Sequence, residues 1–293
     1  ELLSDGDGLI RFKGEWVRVD ARKVRDLMDR WTKAARMMSS LGIPLVQGLR
    51  MLVNGPSSQL VQIPEPDEDC VMEPGQNLRQ TLDILTGETP APVPELPPRL
   101  DALMRPYQKE GFSFLYRITE RGFGACLADD MGLGKTLQAI AWLDVLRRKG
   151  RLENLPALIV VPASLLSNWK EEAQRFAPEL MLRIMHPSSP DPWQPENTPR
   201  RKDCHAVITT YGMAARTSAL ADLHFPAIIL DEAQAIKNAG SARSRAIRSL
   251  HGERRIALSG TPVENNLNEL WSLMEFLNPG LLGSRKSFES FTR

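Results

Sequence analysis

The sequence is poor in cysteine and histidine, and the few that it has lack the spacings of a covalent or metal site. Its 293 residues include Cys70, Cys126 and Cys204, with no Cys-x-x-Cys pair, and four histidines without metal-ligand spacing. A disulfide framework or a zinc site is therefore not expected. This usage favours a reducing compartment, and we expect the protein in the cytoplasm.

The sequence also lacks a long apolar run and an excess of either charge. No stretch approaches the roughly 18 apolar residues that suggest a membrane span, and nothing resembles a signal peptide. We therefore expect no membrane partner. With 37 basic and 36 acidic residues the formal net charge is +1, so a binding site for a polyanion would have to be a local patch.

Composition divides the first hundred residues into two parts. Residues 1–53 predict the end of a small α+β unit, because the alternating stretches 9–12 and 15–19 have a hairpin signature and a helical pattern follows them. Residues 54–99 predict a linker region rich in proline and acidic residues, with room for a helix at 77–85. The first residue is not methionine, so we expect a piece of a longer protein.

Residues 100–293 alternate between short apolar runs and amphipathic helices. The runs are Ala125–Ala128, Ala157–Val161, Ala206–Thr209, Ala227–Leu230 and Arg255–Leu258. The predicted helices are 106–119, 135–149, 166–176, 242–250 and 267–277. This alternation predicts an α/β lobe with a parallel central sheet flanked by helices, and a ligand site at the carboxyl ends of its strands. The proline-rich loop 186–202 is predicted to be a solvated excursion.

A glycine-containing segment after the first run has the features of a phosphate-binding loop. The segment Asp129–Thr136 follows a predicted strand and opens a helix, which is the context that a P-loop requires. Lys135 would reach the β- and γ-phosphates of a nucleotide, and the Thr136 hydroxyl would bind Mg²⁺. The residues expected at ATP are Asp130, Met131, Gly132, Leu133, Gly134, Lys135, Thr136 and Leu137. The strict pattern has glycine at position 129, so an ordinary helix start is the alternative.

Two adjacent carboxylates end another apolar run. Asp231 and Glu232 follow 226–230 directly. In P-loop enzymes an aspartate at such a strand end binds Mg²⁺, and the glutamate beside it could act as general base for the attacking water. An Asp-Glu pair is usually surface charge, but the P-loop upstream supports a catalytic role. We therefore predict Lys135, Asp231 and Glu232 as catalytic residues, and Thr136 with Asp231 as metal ligands.

Six segments in a fixed order carry a family resemblance. They are Leu103–Gly111, Leu127–Thr136, Val160–Trp169, Ile208–Gly212, Asp231–Asn238 and Leu258–Asn266. In this order they resemble the entry segment and motifs I, Ia, Ib, II and III of the Swi/Snf-type ATPases of helicase superfamily two, and in particular the bacterial HepA/RapA-like group. That family normally has aspartate at position 129, so the departure from the strict P-loop pattern supports the resemblance.

The resemblance implies the first RecA-like lobe of a motor that uses ATP and Mg²⁺ to translocate on double-stranded DNA. Arg105 and Gln108 would lie at the nucleotide, with Gln108 at the adenine. The implied DNA contacts are Ser164, Thr209, Thr210 and Lys237, and the implied coupling residues are Ser259, Gly260 and Thr261. A second lobe would supply an arginine finger, so we expect weak hydrolysis by this lobe alone. RNA polymerase or another DNA-bound protein is a candidate partner, and the expected location is the bacterial nucleoid.

Each of these roles has a simpler structural alternative. Arg105 and Gln108 could be exposed helical residues, Ser164 could cap a helix, and the two threonines could simply end a strand. Two other functions remain open: a different P-loop enzyme, such as a GTPase or a small-molecule kinase, and a nucleotide-gated protein-interaction module with little catalysis. A GTPase should have an Asn-Lys-x-Asp box, which this sequence lacks.

Overall fold

The structure is a computed structural model that describes residues 8–12, 15–19, 79, 83, 93–195, 204–261 and 267–291. Contacts divide the chain into two units, Glu1–Leu78 and Arg79–Arg293. In the first unit, strands β1 (Gly8–Phe12) and β2 (Glu15–Val19) pair antiparallel, which confirms the predicted hairpin. The helix predicted after the hairpin and most of the linker region lie outside the described residues, so the three-part domain division stays a prediction.

The second unit contains the predicted alternation of strands and helices. Its helices are α1 (Pro98–Leu103), α2 (Pro106–Glu120), α3 (Lys135–Arg148), α4 (Leu166–Phe176), α5 (Tyr211–Arg216), α6 (Ala242–Arg248), α7 (Leu267–Leu277) and α8 (Arg285–Phe291). Its strands are β3 (Ala125–Leu127), β4 (Ala157–Val161), β5 (Leu182–Met185), β6 (Ala206–Thr210), β7 (His224–Phe225), β8 (Ile228–Leu230), β9 (His251–Gly252) and β10 (Arg255–Leu258).

Six of these strands form one parallel sheet in the order β3-β10-β8-β4-β6-β5. In its centre, Ile229 of β8 pairs with Ile256 of β10 on one side and Ile159 of β4 on the other. Because all six strands are parallel, their carboxyl ends lie at one edge of the sheet. The α/β fold with a parallel central sheet is therefore confirmed, and the loops that follow β3, β10 and β8 are neighbours at that edge.

Helices cover both faces of the sheet because its central strands are apolar on both sides. Every residue of β4 is completely buried. Ile159 belongs to a core shared with Trp142 of α3, whereas its neighbour Leu158 belongs to the opposite core, shared with Phe276 of α7. A continuous apolar run is the pattern expected of a parallel strand buried on both faces.

Helix α3 lies directly behind the P-loop and is buried almost all round. Its residues Leu137 to Leu146 are all buried, including the polar side chains of Gln138 and Asp144. Asp144 accepts a hydrogen bond from Arg147 at 2.9 Å. Within the described ranges, no helix has both the length and the apolar character needed to cross a membrane.

The edge of the sheet differs from the prediction. Strand β5 was not predicted, since it is only partly buried and carries Arg183, which pairs with Asp191. The following loop was expected to be solvated throughout, and this is wrong for Trp193. Its side chain is 1% exposed and its backbone N–H donates to the Ile184 carbonyl at 3.0 Å. The described part of the loop therefore turns back onto the edge strand, because a buried tryptophan removes a large apolar area from water.

Candidate functional site

The glycines of the segment after β3 adopt the backbone that a P-loop needs. Gly132 and Gly134 have φ values of 83° and 77°, in the left-handed region that favours glycine. Gly134 immediately precedes α3, and a Cβ atom there would lie 2.4 Å from Gln108 Nε2. A side chain at position 134 would therefore be excluded both by the backbone conformation and by the packing of α2 against the loop.

The Lys135 ammonium forms hydrogen bonds that link the end of the P-loop to its beginning. Its Nζ donates to the backbone carbonyl of Asp129 at 2.7 Å and to that of Asp130 at 3.0 Å. An ammonium has three N–H donors, and these two bonds do not use the third. Lys135, the first residue of α3, is therefore held by two carbonyls of the loop, and its third N–H can donate to an anion.

The start of α2 packs against the other end of the loop. Gln108 is buried, and its Nε2 donates to the Leu133 carbonyl at 3.0 Å while its Oε1 accepts from the Arg105 backbone N–H at 2.9 Å. Tyr107, which the sequence reasoning did not single out, donates to the same Leu133 carbonyl at 3.2 Å. The alternative of an exposed helical residue is therefore wrong for Gln108, whereas the Arg105 side chain is exposed.

Asp231 directly follows β8 and is buried at the same edge of the sheet. Its two carboxylate oxygens accept from Trp169 Nε1 at 2.7 Å and from the Glu232 backbone N–H at 2.9 Å. Burial raises the pKa of the Asp231 carboxyl, and these two hydrogen bonds oppose the rise; Glu232 raises that pKa and Lys135 lowers it. Strand β10 lies between β3 and β8 in the sheet, so the P-loop after β3 and the acidic box after β8 lie near each other at one edge.

Trp169 and Tyr211 hold the acidic box from two other motifs. The Trp169 side chain is completely buried, so it packs inside the lobe. The sequence did not predict that its indole N–H would bind Asp231. The Tyr211 hydroxyl donates to the Asp231 carbonyl at 2.7 Å, and burial raises the pKa of Tyr211 well above its ordinary value.

Glu232 begins a chain of hydrogen bonds that reaches the loop after β10. Its Oε2 accepts from Gln234 Nε2 at 2.6 Å, and Gln234 Oε1 accepts from the Ser259 hydroxyl at 3.0 Å. Ser259 is buried and in turn accepts from the Thr261 backbone N–H at 3.2 Å. The loop that carries the implied coupling residues is therefore joined to the acidic box through Gln234, a residue that the sequence reasoning did not select.

Glu232 also has an unusual backbone. With φ at 50° it is the one positive-φ residue other than glycine in the described part of the chain. A non-glycine residue in this region carries roughly 1–3 kcal/mol of strain, and such strain occurs often at functional sites. The left-handed turn ends the strand at Asp231 and starts the short 3-10 helix Ala233–Ile236.

The candidate DNA contacts occupy different environments. Ser164 is exposed in a short 3-10 turn after β4 and makes no capping hydrogen bond. Thr209 is completely buried and its hydroxyl donates to the Met185 carbonyl at 2.9 Å. Thr210 accepts from the Met213 backbone N–H and caps α5. The structure thus contradicts an accessible hydroxyl at Thr209, because that group is committed inside the sheet.

Lys237 and Gly260, the remaining coupling residue, have different neighbours. Lys237 is partly exposed and its Nζ is 3.8 Å from Glu269. It lies at a cavity of about 280 Å³ that is lined by Lys237, Asn238, Ala239, Asn268, Glu269 and Arg285. Gly260 lies against the P-loop, since a Cβ atom there would be 3.0 Å from Met131 Cγ.

The sequence comparison identifies the family. Residues 107–293 match the family model of the SNF2-related domain. The chain belongs to the SNF2-related family. This confirms the family resemblance and assigns the chain to the helicase-like ATPases.

Relatives of this SNF2-related chain are found in bacteria and fungi. It is 38% identical over 291 residues to a Bacillus subtilis protein named as the ATP-dependent helicase/translocase YwqA, covering 98% of this chain and 31% of that protein. It is 35% identical over 236 residues to the chromatin-remodeling ATPase INO80 of Pyricularia oryzae, covering 78% of this chain and 12% of that protein. The chain therefore spans a third or less of both relatives.

Solved structures give the same family. The Sulfolobus solfataricus SWI2/SNF2 ATPase core in complex with dsDNA matches with 43% identity and a TM-score of 0.57, covering 64% of this chain and 38% of that one. The ATPase core domain of the same organism without DNA matches with a TM-score of 0.56. The parallel sheet and its flanking helices are therefore those of an SNF2-type ATPase core.

Proposed function

We propose that this chain is the first motor lobe of an ATP-dependent translocase or remodeller that acts on double-stranded DNA. The observation that carries the proposal is the meeting, at one edge of the sheet, of a lysine-closed P-loop and a buried acidic box. Lys135 closes the loop over Asp129 and Asp130, and its charge lowers the pKa of Asp231. A loop of this kind binds phosphate through its backbone N–H groups and its lysine.

The residues of the box fit a magnesium ion. Asp231 is a buried carboxylate whose pKa is raised by burial, so a cation beside it would favour its ionised form. Its oxygens, with the Thr136 hydroxyl in the first turn of α3, are the hard ligands that Mg²⁺ prefers. When bound, Mg²⁺ would neutralise charge on the nucleotide phosphates. Glu232 would then orient a water molecule, with its carboxylate held by Gln234 at 2.6 Å.

DNA binding is proposed at the loops that follow β4, β6 and β8. Ser164, Thr210 and Lys237 are the candidates there. Thr210 is also buried, but its hydroxyl accepts its hydrogen bond, whereas Thr209 is omitted because it is completely buried and its hydroxyl donates to a carbonyl. Hydroxyls and lysines bind the phosphate backbone without reading sequence. The solved structure of the Sulfolobus solfataricus SWI2/SNF2 ATPase core in complex with dsDNA supports this proposal. Efficient hydrolysis would require a second lobe, and a bacterial cytoplasmic location with a DNA-bound protein partner is proposed on the same grounds.

The proposal is tested by ATP turnover of the full-length protein with and without duplex DNA. We expect DNA to stimulate turnover in the natural protein. Glu232→Gln should lower kcat by about 100-fold or more, the effect of losing a general base, with ATP affinity nearly unchanged. Lys135→Ala should weaken ATP binding itself. Glu153→Gln changes an exposed glutamate outside the site and serves as the matched control.

Three outcomes would count against the proposal. Turnover without response to duplex DNA would remove the DNA motor but keep an ATPase. Turnover of Glu232→Gln equal to that of the Glu153→Gln control would remove Glu232 as base. ATP binding without turnover in the natural protein would instead support the nucleotide-gated interaction module.

A further inference from the structure

We propose that Gln138 is a positioning residue that fixes Asp129, and through it Lys135, in the P-loop. This inference rests on the proposed ATP site. It explains how the loop accommodates an aspartate at a position where the strict P-loop pattern has glycine.

Gln138 reaches the loop from the first turn of α3. Its Nε2 donates to Asp129 Oδ2 at 3.0 Å. The backbone carbonyl of the same aspartate accepts from Lys135 Nζ at 2.7 Å. Asp129 is therefore held twice by α3, through its side chain by Gln138 and through its carbonyl by Lys135. A change in the side-chain contact would be transmitted directly to the carbonyl that anchors the lysine.

The burial of Gln138 indicates that its side-chain amide serves as a hydrogen-bond donor. The Gln138 side chain is completely buried, and its Oε1 has no hydrogen-bond partner among the described residues. A buried polar atom without a partner is costly, and an apolar residue of similar length would avoid that cost. The opposite amide orientation would place two acceptors face to face at Asp129. What Gln138 provides in return is a donor for the Asp129 carboxylate.

Gly111 of α2 provides the space for this contact. A Cβ atom at Gly111 would lie 1.9 Å from Gln138 Oε1 and 3.3 Å from a Leu127 methyl group. A side chain at 111 would push the Gln138 amide away from the loop. Gln108, one turn earlier in α2, binds the Leu133 carbonyl. Helix α2 therefore contacts the end of the P-loop through Gln108 and influences its beginning through the space at Gly111.

The contact also controls a negative charge beside the phosphate site. Asp129 is only partly buried, and a carboxylate that could turn toward bound phosphates would repel them. With Gln138 as its partner, the carboxylate has a fixed position in which its charge is met by an N–H donor. We therefore expect Gln138 to affect affinity for Mg-ATP more than the rate of the chemical step.

A donor–acceptor exchange tests the pairing. Gln138→Met removes the N–H donor but keeps a side chain of similar length. Gln138→Glu places a second carboxylate next to that of Asp129. Asp129→Asn combined with Gln138→Glu restores one N–H···O contact with the direction reversed and the same net charge. In the full-length protein we expect each single change at 138 to weaken binding of a fluorescent ATP analogue with Mg²⁺ at least about tenfold. The exchange variant should return to within about threefold of the natural protein.

The control is Asp144→Asn, which breaks a buried polar pair on the same helix away from the loop. It should lower the melting temperature without changing nucleotide affinity. The inference is overturned if folded Gln138→Met binds the analogue as tightly as the natural protein, or if the exchange variant binds no better than Gln138→Glu. Because the readout is binding, a protein that bound the analogue without DNA-stimulated turnover would refute the motor function and leave this test intact.

Discussion

The indole N–H of Trp169 favours the ionised form of the Asp231 carboxyl. Burial works against ionisation, and Trp169 supplies one of the two hydrogen bonds that oppose this effect. An aspartate that binds a metal ion must be ionised. The completely buried Trp169 therefore favours the same ionised form of Asp231 that the proposed Mg²⁺ ion would require.

We predict that Trp169→Phe moves the acidic limb of the ATPase pH profile to higher pH. Phenylalanine cannot donate the hydrogen bond that lowers the pKa of Asp231, so burial raises this pKa further. As the pH falls, the ionised form of Asp231 is then lost at a higher pH. The measurement is kcat/KM against pH with the full-length protein. Trp142→Phe is the matched control, because this buried indole donates to Thr119 at 3.1 Å and not to the box. An equal shift in both variants would contradict the assignment.

At the scale of elements, α7 is tied to the strand that carries the P-loop. The buried Asn278, just after α7, accepts from the Gly124 backbone N–H at 2.9 Å and donates to the Gly124 carbonyl at 3.1 Å. A Cβ atom at Gly124 would lie 2.4 Å from the Leu277 carbonyl. The close approach of the two backbones therefore requires glycine at this position.

We predict that Asn278→Ala lowers the free energy of unfolding by roughly 2–4 kcal/mol, because it leaves two backbone groups of Gly124 without partners in a partly buried site. Urea denaturation of the 293-residue chain measures this loss. Asn168→Ala removes an exposed contact with Glu172 and should change the same quantity by less than about 0.5 kcal/mol. A loss below about 1 kcal/mol in Asn278→Ala would show that the pairing is not structural.

The elements were predictable where the signal is local. The P-loop lies within eight consecutive residues, and β4 is a continuous apolar run, so both follow from neighbouring letters. The contact of Trp169 with Asp231 joins residues 62 positions apart, and no local pattern encodes it. The same is true of Gln138, whose role depends on the glycine opposite it.

Burial was the other property that the motifs did not contain. Thr209 and Thr210 are adjacent in a family motif, yet one hydroxyl binds a carbonyl inside the sheet and the other caps α5. Both residues are buried. Successive residues of a strand point to opposite faces, so a motif alone does not determine what each of two neighbouring hydroxyls contacts. Strand β5 was missed for a related reason: an edge strand that is only half-buried lacks a continuous apolar run.

At the scale of the whole molecule, the charge is balanced, and any grip on DNA depends on a few local cations. The formal net charge is +1, so long-range attraction by the lobe as a whole is weak. Lys237 is partly exposed and follows the acidic box by a few residues. A contact between Lys237 and a DNA phosphate would therefore lie close to the proposed ATP site.

We predict that Lys237→Ala weakens duplex binding by the full-length protein and reduces the slope of log K against log salt by about 0.9, the effect of one phosphate contact. Arg151→Ala removes an exposed cation in the turn between α3 and β4, at the opposite edge of the sheet, and should leave the slope unchanged. Binding measured at several salt concentrations gives both values. Equal slopes in the two variants would exclude Lys237 as a phosphate contact.

The order of strands also has a consequence for how the lobe forms during synthesis. Strand β3 has β10 as its neighbour in the sheet, and Ala125 pairs with Ile256, which is 131 positions later (256 minus 125). At roughly 5–20 residues per second on the ribosome, the strand that precedes the P-loop waits several seconds for its partner, and longer for the Asn278 tie. Strand β3 is thus synthesised early but paired late. Until β10 is available, this apolar strand can bind chaperones or pair with an incorrect strand.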